Sequence, residues 1–233
     1  MEKLSNNFVK YADLINVKDA DPETDKEKFV ILPAEGEYVF GRYEGGKDMS
    51  EKSPYLPVRK TVAEKLTNVG KKLKEIDPNY KLRVAYAFRE MKIQQEYFEE
   101  VREMFKDEQF DDELALYERI HERVAVPTVA GHPTGGAVDV AIYDESKGDI
   151  LEFGTSLIDL STDRVYYAAE DISEEARKNR DLLRAMMLEE GFAPYDGEWW
   201  HFCYGDKEWA FYYNKDRALY NQVYSMEDLD IEE

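Results

Sequence analysis

The stretch AGHPTGGAVDV, residues 130–140, decides how the middle of this chain folds, because a turn signal runs directly into a strand signal. Gly135 and Gly136 can adopt positive φ, or admit a close neighbour, at little steric cost. The segment AVDVAIYDE that begins at residue 137 has the alternation and the β-branched residues of a strand. We therefore predict a sharp turn that leads into a strand of a central sheet.

His132 and Asp139 stand on either side of the glycine pair. In a fully extended chain they would be about 23 Å apart, whereas ligands of one zinc ion lie about 2 Å from the metal. The two side chains can therefore meet only if the glycines reverse the chain. On the strand, Asp139 points away from Val138 and Val140, and small alanines leave room beside it. These residues alone fit two interpretations, a pair of metal ligands or a polar pair beside a turn.

A second histidine stands in GEWWHF, residues 197–202, with Glu198 three positions before His201. In an ideal strand, residues three apart face opposite sides, so Glu198 reaches the side of His201 only if the turn at Gly197 interrupts the strand. The alternative is a core histidine that hydrogen-bonds a surface glutamate. His121, in the charged segment ERIHERV, is not predicted to be a ligand.

His132, Asp139 and His201 together would give a metal ion three nitrogen and oxygen ligands. Three protein ligands with an open position are typical of catalytic zinc, whereas structural zinc is held by four. A nearby carboxylate that does not bind the metal, here Glu198, suits a general base for the zinc-bound water. The sequence therefore predicts a single Zn²⁺ site at the sheet.

The rest of the chain predicts helices and strands in mixed order. Helical spacing of apolar residues indicates helices over 61–76, 93–105, 112–123 and 172–190, and KLRVAYAF (81–88) is typical of a strand. EWWHFCY and EWAFYYN are predicted as two strands of a hairpin around Gly205 and Asp206. Without regular βαβ alternation, we expect an α+β fold with a mainly antiparallel central sheet flanked by helices. Residues 1–233 are expected to form one domain, with 1–60 an N-terminal extension packed on it and 226–233 an acidic tail.

Charge and composition exclude several classes of partner. The net charge of −20 argues against nucleic acid, whose phosphates need clustered lysine and arginine, and against an anionic membrane surface. The single cysteine, Cys203, excludes an intrachain disulfide and a thiolate zinc cluster. No apolar run suits a signal peptide or a membrane span, so we expect a cytoplasmic protein whose partner is a small peptide substrate. These features do not predict the oligomeric state.

The two histidine motifs resemble those of zinc D-alanyl-D-alanine dipeptidases of the vancomycin-resistance type and of related D,D-carboxypeptidases. HPTGGAVD (132–139) resembles their H-x-x-G-x-A-x-D motif, and EWWH (198–201) matches E-x-W-H. FRE (88–90), FGT (153–155) and NRDLLRAMMLEEGF (179–192) resemble further elements in the family's order. The resemblance covers roughly residues 60 to 210 and rests chiefly on the two metal motifs.

This resemblance implies a role for each motif residue. His132, Asp139 and His201 would hold Zn²⁺. Glu198 would take a proton from the zinc-bound water and pass it to the leaving amine. Arg89 would polarise the scissile carbonyl and stabilise the oxyanion, although an arginine in so acidic a chain could instead form a structural ion pair.

Some positions depart from the family pattern. Ala130 stands where a serine often helps to hold the substrate, AYAFRE lacks the usual glycine and proline around Arg89, and Glu152 and Phe153 replace the common Asp and Met. We predict a zinc dipeptidase that acts on D-Ala-D-Ala. The alternatives are a D,D-carboxypeptidase or endolysin-like hydrolase of longer peptidoglycan peptides, and a catalytically silent zinc-binding protein of the same fold. The presence of Glu198 argues against the last.

Overall fold

A computed structural model describes residues 8–23, 25–43 and 49–232. The helices are α1 (Tyr11–Leu14), α2 (Met49–Lys52), α3 (Lys60–Ile76), α4 (Met91–Met104), α5 (Glu113–His121), α6 (Glu174–Glu189) and α7 (Lys207–Tyr212). The strands are β1 (Phe29–Leu32), β2 (Val39–Gly41), β3 (Leu56–Arg59), β4 (Tyr80–Tyr86), β5 (Ala137–Asp144), β6 (Asp149–Ile150), β7 (Ala193–Pro194) and β8 (His201–Cys203). Within the described ranges, no helix combines the length and apolar character needed to cross a membrane.

The main sheet has the strand order β2-β4-β5-β8-β7, and β6 also pairs with β5. Every pair in it is antiparallel except β2 with β4. β1 and β3 form a separate antiparallel pair. This architecture confirms the predicted α+β fold with a mainly antiparallel sheet.

Strand β5 lies at the centre of the sheet and is buried along nearly its whole length. On α3, the residues predicted to form one apolar face, Val62, Leu66, Val69 and Leu73, are fully buried in the main core. Such a helical stripe buries because spacings of three and four residues return to the same face. Because β5 is covered on both sides, a polar residue within it needs partners, and this applies to Asp139.

The predicted hairpin after β8 is wrong, because Lys207–Tyr212 form the helix α7 instead of a strand. The backbone N–H of Trp209 donates to Asp206 Oδ1 at 2.8 Å, so Asp206 caps the helix. Trp209 then packs with Ala137, Ala193 and Cys203 in a small apolar cluster. Trp209 therefore buries against the sheet from a helix, whereas Phe211 and Tyr212 are exposed. The helix lies beside the end of β5 that carries Asp139.

The N-terminal and C-terminal segments are hydrogen-bonded to each other. The N–H of Phe29 in β1 donates to the carbonyl of Asp230, and the N–H of Glu232 donates to the carbonyl of Phe29, both at 2.8 Å. The described part of the acidic C-terminal segment is therefore paired with the predicted N-terminal extension.

We expect Arg180→Met to lower the free energy of unfolding by about 3–5 kcal/mol. Arg180 in α6 is 1% exposed and donates to the carbonyls of Phe153, Tyr166 and Arg164 at 2.7–2.8 Å. Methionine fills part of the volume but leaves these carbonyls without donors. Denaturant unfolding measures the loss, and exposed Lys178→Met on the same helix should change stability by less than about 0.5 kcal/mol. A loss below 1 kcal/mol for Arg180→Met would contradict the expectation.

Candidate active site

His132 lies in a short turn, His132–Thr134, that ends at Gly135 with φ of +74°. Its Nδ1 is 2.7 Å from the carbonyl oxygen of Ala87, which accepts a hydrogen bond only if Nδ1 carries the proton. Its Nε2 then faces the carboxylate of Asp139, 3.6 Å from Oδ2. Burial lowers the pKa of His132 to about 3, which keeps the ring neutral. A neutral imidazole with one nitrogen fixed and the other free is the form that binds metal ions.

Asp139 and His201 face each other across the antiparallel pair of β5 and β8. Asp139 Oδ1 lies 2.9 Å from His201 Nδ1, and Asp139 is only 4% exposed. Together with His132 they offer one ligand atom each within 4.8 Å of one another. Around a tetrahedral zinc, donors lie about 3.3 Å apart, so small side-chain rotations would close this set on one ion. The donor types and spacing therefore fit a divalent cation such as zinc.

The charge balance of this group also favours a cation. Burial lowers the pKa of His201, but its hydrogen bond to Asp139 and the charges of Asp139, Glu208 and Glu198 raise it to about 9. Burial raises the pKa of Asp139, yet the two histidines lower it below its usual range. The buried carboxylate of Asp139 thus favours the protonated form of His201, and a bound metal ion would displace that proton.

We expect the affinity for Zn²⁺ to rise about tenfold per pH unit between pH 6 and pH 8. Below its pKa of about 9, His201 holds a proton that the metal must displace, so raising the pH removes the competitor. His132, with a pKa of about 3, is already neutral over this range and does not contribute to the pH dependence of the zinc affinity. Competition with a chelator of known pH dependence measures the affinity, and an affinity that is constant across this range would contradict the expected proton release.

Glu198 lies in the turn that precedes β8 and outside the pleat of that strand. The N–H of His201 donates to the Glu198 carbonyl at 3.1 Å, and the strand begins only at His201. This break before the strand is the condition under which the sequence allowed the side chains of Glu198 and His201 to approach each other. Its Oε2 accepts a hydrogen bond from Trp200 Nε1 at 3.0 Å. Burial raises the pKa of Glu198; the charge of His201 lowers it, and that of Asp139 raises it. Glu198 therefore adjoins the ligand group without belonging to it.

Arg89 follows β4 and is held by neutral partners. Its Nε donates to Tyr86 Oη at 3.1 Å, and its Nη1 donates to Gln94 Oε1 at 2.9 Å. Gln94 is fixed in turn because its Nε2 donates to the carbonyl of Ala125 at 2.7 Å. The backbone N–H of Arg89 donates to the carbonyl of His132, which brings both residues to one place. None of the carboxylates in the described ranges forms an ion pair with Arg89, so its charge is available to an anionic group.

Sequence reasoning missed two carboxyl groups beside the ligand group, Asp206 and Glu208. Asp206 is 1% exposed, and its Oδ2 has no hydrogen-bond partner among the described residues. A Cβ atom at Gly131 would lie 2.1 Å from that oxygen, so only glycine fits before His132. Burial raises the pKa of Glu208 to about 8. An aspartate three residues before Trp209, with Glu208 in the first turn, is also a helix N-cap signal. This signal would have placed both acids at a helix start just after β8.

His121 and Cys203 do not join this group. The backbone N–H of Val126 donates to His121 Nδ1 at 3.2 Å, and burial lowers the pKa of His121 to about 4. Cys203 is fully buried in the small apolar cluster beside α7. The structure therefore brings together the predicted residues, His132, Asp139 and His201 with Glu198 and Arg89 beside them, and leaves the third histidine apart.

Comparison with known proteins gives matches over most of the chain. The sequence profile of a peptidase family described as D-ala-D-ala dipeptidase matches residues 44–225, a range that includes the predicted ligands, Glu198 and Arg89. The D-alanyl-D-alanine dipeptidase of Synechocystis sp. is 30% identical over 193 residues, which cover 73% of this chain and 77% of that protein. The D-alanyl-D-alanine dipeptidase of Enterococcus faecium is 34% identical over 82 residues, or 35% of this chain and 40% of that protein. The structure of a vancomycin-resistance D,D-pentapeptidase, VanY, in complex with Zn(II) aligns with 89% of this chain and 96% of that chain at 17% identity and a TM-score of 0.44.

Proposed function

We propose, since this chain belongs to the D-Ala-D-Ala dipeptidase family of metallopeptidases, that it hydrolyses the peptide bond of D-Ala-D-Ala. The observation that carries the proposal is the buried group of His132, Asp139 and His201, whose ligand atoms lie within 4.8 Å of one another. A partly buried glutamate and an arginine without an ion pair adjoin it, and they can serve amide hydrolysis as a general base and an oxyanion partner. The matching proteins of Synechocystis sp. and Enterococcus faecium are D-alanyl-D-alanine dipeptidases, which supports the choice of peptide.

His132, Asp139 and His201 would hold Zn²⁺ in this proposal. Two imidazoles and one carboxylate form a ligand set of the kind that leaves a zinc ion one open position. A zinc ion held in this way polarises a carbonyl group and lowers the pKa of a bound water molecule to about 7. The hydrogen bond between His132 and the carbonyl of Ala87 would keep that ring aimed at the ion.

Glu198 is proposed as the general base and then the general acid. Its carboxylate would take a proton from the attacking water while the water oxygen bonds to the scissile carbonyl carbon. The same proton would then pass to the departing nitrogen as the C–N bond breaks, which yields two molecules of D-alanine. Burial raises the pKa of Glu198, which strengthens it as a base, and the hydrogen bond from Trp200 keeps its carboxylate oriented.

Arg89 is proposed to stabilise the negative charge that develops on the carbonyl oxygen. Its guanidinium is fixed by Tyr86 and Gln94, so it need not reorganise as the charge forms. We expect Arg89→Met to lower kcat by about 100-fold or more, in line with the loss of one oxyanion donor. Steady-state kinetics on D-Ala-D-Ala measures the effect, with surface Arg164→Met as the control. A variant that changed KM alone would mean that Arg89 binds the ground state of the substrate instead.

Release of D-alanine from a panel of peptides tests the proposed function. Zinc-loaded protein should hydrolyse D-Ala-D-Ala and leave L-Ala-L-Ala and longer peptides ending in D-Ala-D-Ala intact. Faster hydrolysis of the longer peptides would favour the carboxypeptidase alternative. Absence of hydrolysis by fully metallated protein would overturn the proposal in favour of a silent binding protein.

A further inference from the structure

Arg59, the last residue of β3, joins three segments that are far apart in the chain. It is 4% exposed, and its guanidinium donates to three backbone carbonyls. Nε donates to Thr134 at 2.8 Å, Nη1 to Glu27 at 2.8 Å and Nη2 to Asn221 at 3.2 Å. One side chain thus ties the N-terminal and C-terminal segments to the turn that follows His132.

The surroundings of this guanidinium require both its charge and its flat shape. Nη2 lies 3.1 Å from Asp25 Oδ1, so the buried charge has a counter-ion. The guanidinium carbon lies 4.4 Å from the ring centroid of Phe29 and 4.8 Å from that of Tyr220. Stacking on aromatic rings together with several in-plane hydrogen bonds is geometry that arginine satisfies and lysine does not.

The same residue also contacts the turn through its backbone. The N–H of Arg59 donates to the carbonyl of Gly135 at 3.0 Å, and the N–H of Gly135 donates to the carbonyl of His132 at 3.1 Å. The Phe29 ring closes the other side, since a Cβ atom at Gly135 would lie 2.2 Å from it. The turn is therefore held at Thr134 and Gly135, two and three residues after His132.

We infer that Arg59 is a positioning residue for the candidate metal centre, because it fixes the turn from which His132 reaches the ion. Ligand distances around zinc tolerate errors of only about 0.2 Å, so a turn that loses these bonds presents His132 poorly. Residues 25–29 lie before the family match, which begins at residue 44, and yet they complete this support. The inference rests on the proposed function for the identity of the ion.

The zinc affinity of Arg59→Met, compared with that of Arg180→Met, tests the inference. Both substitutions remove a buried guanidinium that donates to three backbone carbonyls, but Arg180 bonds a different part of the chain. Zinc dissociation constants come from competition with a chromophoric chelator, and circular dichroism of the metal-free proteins verifies that each is folded. We expect a loss of affinity of about 10–100-fold for Arg59→Met, the range seen when an outer partner of a metal ligand is removed. Arg180→Met should stay within about twofold of the wild type.

Equal losses of affinity in both variants would overturn the inference, because general destabilisation would then explain them. Wild-type affinity in folded Arg59→Met would overturn it as well. If Arg59→Met does not fold, Arg59→Lys decides, since lysine keeps a charge near Asp25 but cannot reach all three carbonyls. We expect it to bind zinc about tenfold more weakly, and wild-type affinity would count against the inference. If the wild type binds zinc but hydrolyses no D-Ala-D-Ala, the proposed function fails while the affinity ratios still decide the role of Arg59.

Discussion

Replacing Glu198 by glutamine is expected to lower kcat for D-Ala-D-Ala by about 10²–10⁴-fold while the protein keeps its zinc. Glutamine has nearly the same shape, and its amide oxygen can still accept the hydrogen bond from Trp200 Nε1 that Glu198 Oε2 accepts now. It cannot take up a proton from water, so the step assigned to the carboxylate is lost. Because Glu198 adjoins the ligand group without belonging to it, the metal should remain. D-alanine release and metal content of the purified variant are the two measurements.

Glu175→Gln is the matched control, because Glu175 is an exposed residue of α6 and should keep wild-type turnover. Turnover of Glu198→Gln within tenfold of the wild type would exclude Glu198 as the base. Loss of both zinc and turnover would instead indicate that Glu198 is one of the metal ligands.

Strand β5 and helix α3 could be predicted from the sequence because their signals are local. The spacing of Val62, Leu66, Val69 and Leu73 is the period of a helix face, and all of them are buried. The glycine turn before β5 could also be predicted from the local sequence, and Gly135 does adopt positive φ. Neither feature needs knowledge of a distant segment.

The segment EWAFYY, residues 208–213, shows where such local reasoning fails. Its aromatic residues suit a strand by propensity, and the choice of a helix depends on the Asp206 cap and on the packing of Trp209. The contacts through which Arg59 supports the turn His132–Thr134 could not be predicted for a related reason. Arg59, Asp25 and Asn221 are separated by long stretches of chain, and no periodicity connects them.

The candidate ligands themselves were predictable because each stands in a short motif. His132 and Asp139 flank a turn, and Glu198 and His201 flank the start of a strand. What the sequence could not give was their electrostatic setting. The pKa of His201 near 9 arises because Asp139 lies across the β5–β8 pair, a contact between residues far apart in the chain.

Asp139→Asn is expected to weaken zinc binding by more than about 100-fold and to reduce turnover to background. Removal of an outer partner of a ligand already costs 10–100-fold in affinity, and here a charged ligand itself is lost. The substitution also removes the hydrogen bond and charge that raise the pKa of His201, so proton competition at the site weakens. At pH 8 that competition amounts to only about tenfold for a pKa of about 9, so the loss of the ligand dominates.

Asp144→Asn provides the matched control for Asp139→Asn, because Asp144 is a buried aspartate at the other end of the same strand. It is 5% exposed and bonds Ser146, not the histidines. Its substitution should lower the free energy of unfolding, since hydrogen bonds from Ser146 hold the pKa of Asp144 below its usual range. Zinc affinity and turnover should stay as in the wild type. Zinc competition and D-alanine release at pH 8 measure both variants. If Asp139→Asn bound zinc as tightly as Asp144→Asn does, the carboxylate between the two histidines would not be a ligand, and the proposed metal centre would be wrong.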